Sequence, residues 1–206
     1  MIAEDAGSPP LSASLVVDVV VTDVNDNQPV FESAVYETDI TENVDPATYG
    51  SVLVTVRASD NDDGTNGQVR YRLSTRSQAQ FGHLFNVDET TGEVRLVQAV
   101  DYEALPRGGV IVLEVLAHDL SGAADSVTSP VMTSVRIRVL DVNDNAPSVS
   151  VEDRNGDRDL FHVMENCANG TLLGYVTVSD ADAGDAGRVH CHLRHSNGVR
   201  HHPPSL

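Results

Sequence analysis

The chain spells DVNDN at Asp23–Asn27 and again at Asp141–Asn145, each time with a proline two residues later, and the copies lie 118 positions apart. Three other landmarks recur in the same order. AEDAGSP at 3–9 echoes AHDLSGA at 117–123, TEN at 41–43 returns as MEN at 164–166, and RASDNDDGTNGQV at 57–69 returns as TVSDADAGDAGRV at 177–189. Their offsets are 114, 123 and 120 residues. Four ordered landmarks at nearly one spacing define a repeat of domain size, well beyond a solenoid unit. Any fold for this chain must place the same acidic motifs at the same points of successive domains.

Inside the complete copy the periodicity is that of strands. Val52, Val54 and Val56 alternate with Leu53, Thr55 and Arg57, and Val69, Tyr71 and Leu73 alternate with Arg70 and Arg72. Ile111, Leu113, Val115 and Ala117 form an inward row, as do Val135, Ile137 and Val139. Period-2 patterns of this kind have one apolar face and one wet face. FNVDETTGEVRLV at 85–97 reads as two short strands around a turn, and no long segment holds a 3.6-residue pattern. About seven short strands in roughly 110 residues point to an all-β chain of tandem immunoglobulin-like Greek-key β-sandwiches. The expected division is the C-terminal end of one repeat at 1–28, with a final strand over Leu11–Thr22. A complete repeat follows at 29–146, then the N-terminal part of a third at 147–194 with about three strands, and a divergent tail at 195–206. A third sandwich cut at that point leaves an open apolar face and unpaired edges, so the chain reads as a fragment.

The formal charge is -18, from 31 acidic and 13 basic residues, which argues against a nucleic-acid partner because phosphate binding needs a basic patch. With 40% apolar residues the acidity does not signal disorder. Met1 is followed by Ile-Ala-Glu-Asp, with neither the basic nor the apolar region of a signal peptide. The apolar run at Leu15–Val21 is interrupted by Asp18 and is too short to span a bilayer, so this stretch of chain carries no transmembrane segment. Two cysteines, Cys167 and Cys191, do not make a disulfide framework and read as free or buried thiols.

A turn needs one Asn or Asp, whereas DVNDN offers four oxygen-bearing side chains in five residues. Hard oxygen donors without Cys or His suit calcium, which takes six to eight of them; magnesium demands a stricter octahedron. The EF-hand pattern fails, because Gly64 stands fifth and Tyr71 twelfth when the loop is counted from Asp60, and the other acidic runs fail similarly. Ligands must therefore be assembled from distant segments. A zinc reading of His190, Cys191, His192, His195, His201 and His202 is weaker, since alternate residues of a strand point to opposite faces. No GxSxG elbow or Ser/His/acid set supports nucleophilic catalysis, and acids at repeat boundaries do not form a glycosidase cleft. Asn169-Gly170-Thr171 is an N-glycosylation sequon. Leu140-Asp141-Val142 spells an integrin-binding tripeptide, but it lies inside the acidic linker and reads as coincidence.

Taken together, DxNDNxP, the xEN at 41–43, DxDxGxNGxV at 60–69, DYE at 101–103 and AxDxxG at 117–122 make the sequence resemble cadherin extracellular repeats over about residues 1–193, most like protocadherins or the large Dachsous/Fat-type cadherins. The resemblance implies up to three calcium ions at each complete junction between repeats. At the junction around the second DVNDN it assigns Glu42, Asp101 and Glu103 from the upper repeat, Asp144 and the Val142 carbonyl from the linker, and Asp182 from the lower repeat. A third ion falls to Asn143, the Asn145 carbonyl, Asp180 and Asp182, with Ala186 where the family has Asn. At the first junction it assigns Asn25, Asn27, Asp60, Asp62, Asn66 and Asp119 to the third ion, and Asp26 with Asp62 to the others. Asp5 and Glu165 match ligands of further junctions. The implied function is calcium-dependent cell–cell adhesion by part of a single-pass protein's ectodomain, at the outer face of the plasma membrane, through homophilic or heterophilic contact with other cadherin ectodomains. No catalysis is implied. Two other readings are a secreted fragment that blocks partner cadherins and a calcium-dependent carbohydrate-binding β-sandwich. Converging carboxylates repel one another without metal, so calcium would turn a loose linker into a stiff one.

Overall fold

The alternation at 110–119 becomes a ten-residue strand whose inward row, Ile111, Leu113, Val115 and Ala117, is buried to 1% exposure or less. This is seen in a computed structural model that describes residues 1–49, 52–106, 108–119, 130–153, 161 and 163–192. The strands in chain order are β1 (Ile2–Glu4), β2 (Ser12–Ser14), β3 (Val30–Phe31), β4 (Val35–Thr41), β5 (Val52–Thr55), β6 (Ala58–Ser59) and β7 (Val69–Leu73). They continue with β8 (Phe85–Val87), β9 (Glu93–Leu96), β10 (Val110–Asp119), β11 (Val131–Leu140), β12 (Ser148–Asp153) and β13 (Gly174–Ser179). The sheet orders are β4-β11-β10-β7, β5-β9-β8, β3-β6, β1-β2 and β12-β13. The immunoglobulin-like, all-β architecture read from the periodicity is the observed one.

The chain divides into two compact units. One comprises Met1–Thr38, Pro46–Gln98 and Val112–Arg136; the other comprises Asp39–Asp45, Ala99–Ile111 and the described residues from Ile137 onward. In the first, Val56, Phe85, Val94, Leu113, Val115 and Val135 are fully buried. Each such side chain contributes about 1.5–3 kcal/mol by leaving water. β10 pairs antiparallel with β7, setting Val115 opposite Leu73, Ala117 opposite Tyr71 and Asp119 opposite Val69. That register carries Asp119 to the same end as the acidic loop that precedes Val69. β8 and β9 close the hairpin expected at 85–97. In the second unit, Ile40, Val100, Ile111, Ile137 and Val139 are buried. There β12 and β13 pair in register from Ser148 opposite Ser179 to Asp153 opposite Gly174, and Val149, Val151, Val176 and Val178 line an open hollow with Phe161.

Three features differ from the sequence reading. The strand expected over Leu11–Thr22 is confined to Ser12–Ser14, which pairs with Ile2–Glu4. Val19, Val20 and Val21 are at least 82% exposed, and no described strand lies beside them to complete a ladder. A short helix α1 (Thr75–Phe81) stands where no helical stripe is visible. Its hold on the protein is polar: the Ser74 hydroxyl accepts from Ser77 N (3.1 Å) and donates to Glu114 (2.7 Å), while the buried Ser77 hydroxyl accepts from Glu114 N (2.8 Å). An N-cap anchored to β10 leaves no apolar period to read. Residues 189–192 form no strand, so the strand geometry expected to set His190 and His192 apart from Cys191 is not observed, and all three line the same hollow beside β12 and β13. His195, His201, His202 and the rest of the tail lie outside the described residues, and the described residues of 147–194 carry two strands, β12 and β13, where about three are expected.

Candidate metal centre

Each DVNDN feeds an acidic nest, and the two nests share one local chemistry. In the first, Asn27 N donates to Asp62 (3.1 Å) and Asn27 Nδ2 donates to Asp26 (2.9 Å) and to Asp62. In the second, Asn145 N donates to Asp182 (3.2 Å) and Asn145 Nδ2 donates to Asp144 (2.8 Å) and Asp182 (2.9 Å). The opposing loops are also alike. Asp62 N donates to Asp60 Oδ1 and Asp182 N donates to Asp180 Oδ1, both at 3.0 Å. Gly64 and Gly184 take φ of 65° and 61°, which favours glycine. A Cβ on Gly67 or Gly187 would lie 2.0 Å from the carbonyl oxygen of Asp62 or Asp182, so both positions require glycine. The first nest is completed by Asn25 Nδ2 donating to Asp119 Oδ2 (3.1 Å) and Asn66 Nδ2 donating to Asp23 Oδ2 (3.0 Å). It thus brings together Asn25, Asp26, Asn27, Asp60, Asp62, Asn66 and Asp119, with Asp62 and Asp119 buried.

The second nest, wholly within the second unit, gathers more charge. Glu42 is 1% exposed and accepts from Tyr102 N and Val142 N, each at 2.7 Å. Its aim is set by Asn43, whose φ of 54° turns the chain after β4; Asn166 takes φ 64° at the matching place in MEN, the same device in the other copy. Asn43 N donates to Val100 O (2.8 Å), and Asn43 Nδ2 donates to Asp144 Oδ2 (2.6 Å). Oxygens of Glu42, Glu103 and Asp144 lie within 4.8 Å of one another, as do oxygens of Glu103, Asp141 and Asp182. Among the described residues no other three carboxylates, and no set that includes His or Cys, converge in this way.

Crowding out of water pushes the Glu103 carboxyl up to about 7, helped by the negative charge of Glu42, a hydrogen bond with Asp101 and the charge of Asp144. Buried oxygens of Asp60, Glu103, Asp141 and Asp182 have no hydrogen-bond donor. Buried carboxylate oxygens are costly unless paired or bound to a cation. A set of oxygens alone, several of them lacking donors, fits calcium by donor chemistry, and Glu42, Glu103, Asp141, Asp144 and Asp182 could hold it.

A profile of the cadherin domain matches residues 36–140. The chain belongs to the cadherin family. Over 93% of its length it is 36% identical to human protocadherin gamma-A8, of which it covers 19%. It is similar in structure to protocadherin gamma B2 extracellular cadherin domains 1–5, with TM-score 0.67 and 29% identity, covering 93% of this chain and 33% of that one. Mouse cadherin-23 EC22–24 gives TM-score 0.64 and 29% identity, covering 90% and 54%. The chain spans about a fifth of the length of the first curated relatives it matches. Cadherin domains are adhesion modules and not enzymes, and calcium binding is characteristic of them. No helix of the described residues is long and apolar enough to cross a membrane.

The expected residues are not all placed alike around the second nest. Asp101 Oδ1 accepts from Glu103 N (3.1 Å) and Ala104 N (3.4 Å), so one of its oxygens shapes the DYEA turn. Val142 meets the nest through its N–H. Asn143 is exposed. Asn43 and Asp141 are the members that motif reading missed. Asn43 could have been found from its recurrence in TEN and MEN, Asp141 from its recurrence with Asp23. Cys167 and Cys191 are free and exposed, which agrees with the thiol reading.

Proposed function

We propose that this chain is a calcium-binding segment of a cadherin-type adhesion ectodomain, in which calcium stiffens the linker between repeats 29–146 and 147–194. The observation that carries this reading is the convergence of Glu42, Glu103 and Asp144, and of Glu103, Asp141 and Asp182, with buried oxygens that lack donors. Up to three calcium ions serve such a junction, through Glu42, Asp101, Glu103, the Val142 carbonyl, Asn143, Asp144, Asn145, Asp180 and Asp182. Residues 1–28 are the end of a preceding repeat, and Asn25, Asp26, Asn27, Asp60, Asp62, Asn66 and Asp119 serve its junction. The work done is mechanical. A stiff array of repeats presents outer domains to cadherin ectodomains on another cell, from a parent anchored at the plasma membrane.

The test is thermal melting in chelator and then in a calcium titration. A hundredfold excess over Kd adds about 2.7 kcal/mol. At about 2–4 °C per kcal/mol for a chain of this size, that is roughly 5–11 °C in Tm. Glu103→Ala and Asp144→Ala should each reduce the shift. Folded protein with no calcium response would sink the reading.

Asn169 is the glycan acceptor we assign to the third repeat. Thr171 N and Oγ1 donate to the Ala168 carbonyl (3.1 and 2.6 Å), which puts Asn169 and Gly170 at the centre of an exposed turn. Gly170 has φ 88° and open space where a Cβ would point. Chain produced through a secretory pathway should lose the mass of one glycan on treatment with peptide-N-glycosidase. Asn169→Gln should show no such loss, and wild-type chain of unmodified mass would refute the assignment.

A further inference from the structure

Two apolar surfaces of this chain are open, and the internal repeat relates one to the other. On the 118-residue offset between the DVNDN copies, Val17, Val19 and Val21 correspond to Val135, Ile137 and Val139. Those three form the buried row of β11, whereas Val17, Val19 and Val21 are 60%, 82% and 90% exposed. Among the described residues no strand pairs with Val16–Thr22, so its backbone edge is open as well. The second surface is the hollow of about 650 Å3 over β12 and β13, lined by Val149, Val151, Phe161, Val176, Val178 and Cys191. In the complete repeat β11 is held to the residues just after β3: Thr133 Oγ1 donates to Ser33 O (2.8 Å) and Ser134 N donates to Ala34 O (3.3 Å). The same offset matches Ser33 and Ala34 to Val151 and Glu152 of β12, while a counterpart of β11 for the third repeat would fall after position 206. The 206 residues thus hold one β11-type row with no repeat to cover, and one β12–β13 hollow with no β11-type row.

We infer that, in a chain of these 206 residues, Val16–Thr22 of one copy docks as a strand beside β12 of a second copy, with Val17, Val19 and Val21 turned into its hollow. A strand added to an open edge gains backbone hydrogen bonds while its alternate side chains fill pockets. Donor and acceptor are different surfaces, so the contact is heterologous and copies join head to tail beyond two. The charge of -18 on each copy opposes the contact, so added salt should tighten it by screening that repulsion. No metal takes part, and the contact stands apart from the calcium reading above.

The experiment is sedimentation velocity of the whole chain over a concentration series in chelator, where calcium-dependent contacts do not contribute. Wild type is compared with Val19→Asp, Val20→Asp and Val176→Asp, each checked for an unchanged Tm. Wild type should form dimers and larger species. Val19→Asp in the donor row and Val176→Asp in the hollow should each raise the association Kd about tenfold or more, as expected when one valine side chain is no longer buried. Val20→Asp should associate like wild type, because its counterpart Arg138 points outward from β11 with a side chain 62% exposed. Mixing Val19→Asp with Val176→Asp leaves one working hollow and one working donor row, so association should return and stop at dimers. Cys191 gives a second readout: its labelling by a maleimide should slow as concentration rises, while Cys167, outside the hollow, keeps its rate. Wild-type chain that stays monomeric at millimolar concentration would overturn the inference. So would Val20→Asp dissociating the species as fully as Val19→Asp, which marks apolar clustering without register. If Val176→Asp fails to fold, the comparison of Val19→Asp with Val20→Asp and the Cys191 labelling decide between the two outcomes.

Discussion

Glu42→Ala should destabilise the chain in chelator and also blunt its response to calcium. The first effect comes from the two short bonds at 2.7 Å in which a buried carboxylate accepts from Tyr102 N and Val142 N. Alanine leaves both backbone groups without an acceptor, at about 1–3 kcal/mol each. Against that, removing one charge relieves the repulsion among Glu42, Glu103 and Asp144, so the net loss in chelator should fall in the lower part of a range of roughly 2–6 kcal/mol. Calcium removes the relief, because a bound cation has already neutralised the cluster. The difference between wild type and variant should therefore be larger in calcium than in chelator, and denaturant melts under both conditions measure it. Glu42→Gln should lie between, since its NH2 must face one of the two N–H groups. A variant that melts like wild type in chelator would show that Glu42 does not organise the linker.

Glu42 also shows which parts of the site could be read from residues alone. As one acid in TEN it carries no local signal; only recurrence of the motif and resemblance to a family pair it with a linker 100 positions away. Strand positions were more legible, because Ile111, Leu113, Val115 and Ala117 are buried as their alternation demands, and burial is a property each residue declares for itself. Helix α1 escaped because its anchoring runs through Ser74, Ser77 and Glu114, and hydrogen-bond partners have no period. The over-long strand at Leu11–Thr22 failed for the opposite reason. Its alternation is sound, but a ladder exists only where a neighbour supplies the other half. Asp101 illustrates a further limit: a carboxylate that caps its own turn has the same sequence signature as one aimed wholly at a metal.

The metal-free chain should lose stability as pH rises from about 4.5 to about 7, and calcium should reverse that trend. Glu103 has its carboxyl pushed up to about 7 in the folded chain, from 4.5 as the ordinary value. Between those two values the unfolded chain releases this proton while the folded chain keeps it. The folded state then binds more protons, and stability falls with rising pH until both forms are ionised. Asp5, held down by the N–H groups of Leu11 and Gly7, Asp39 beside Arg138, and Asp88 under Thr91 and Thr90 all have lowered values. Their stabilisation is lost only as pH falls below the ordinary carboxylate range, so their window lies under that of Glu103 and has the opposite slope. Calcium requires the ionised carboxylate, so binding must expel the proton below pH 7, and the apparent affinity must fall as the solution is acidified. Thermal melts from pH 4.5 to 8, in chelator and in calcium, should show slopes of opposite sign, and calorimetry in buffers of different ionisation enthalpy should register proton release near pH 6. Glu103→Gln cannot titrate and should lose its share of both effects. If that variant keeps the wild-type slope in chelator and the same proton release, the charge conflict lies elsewhere in the nest, and the DYEA turn is not where protons and calcium compete.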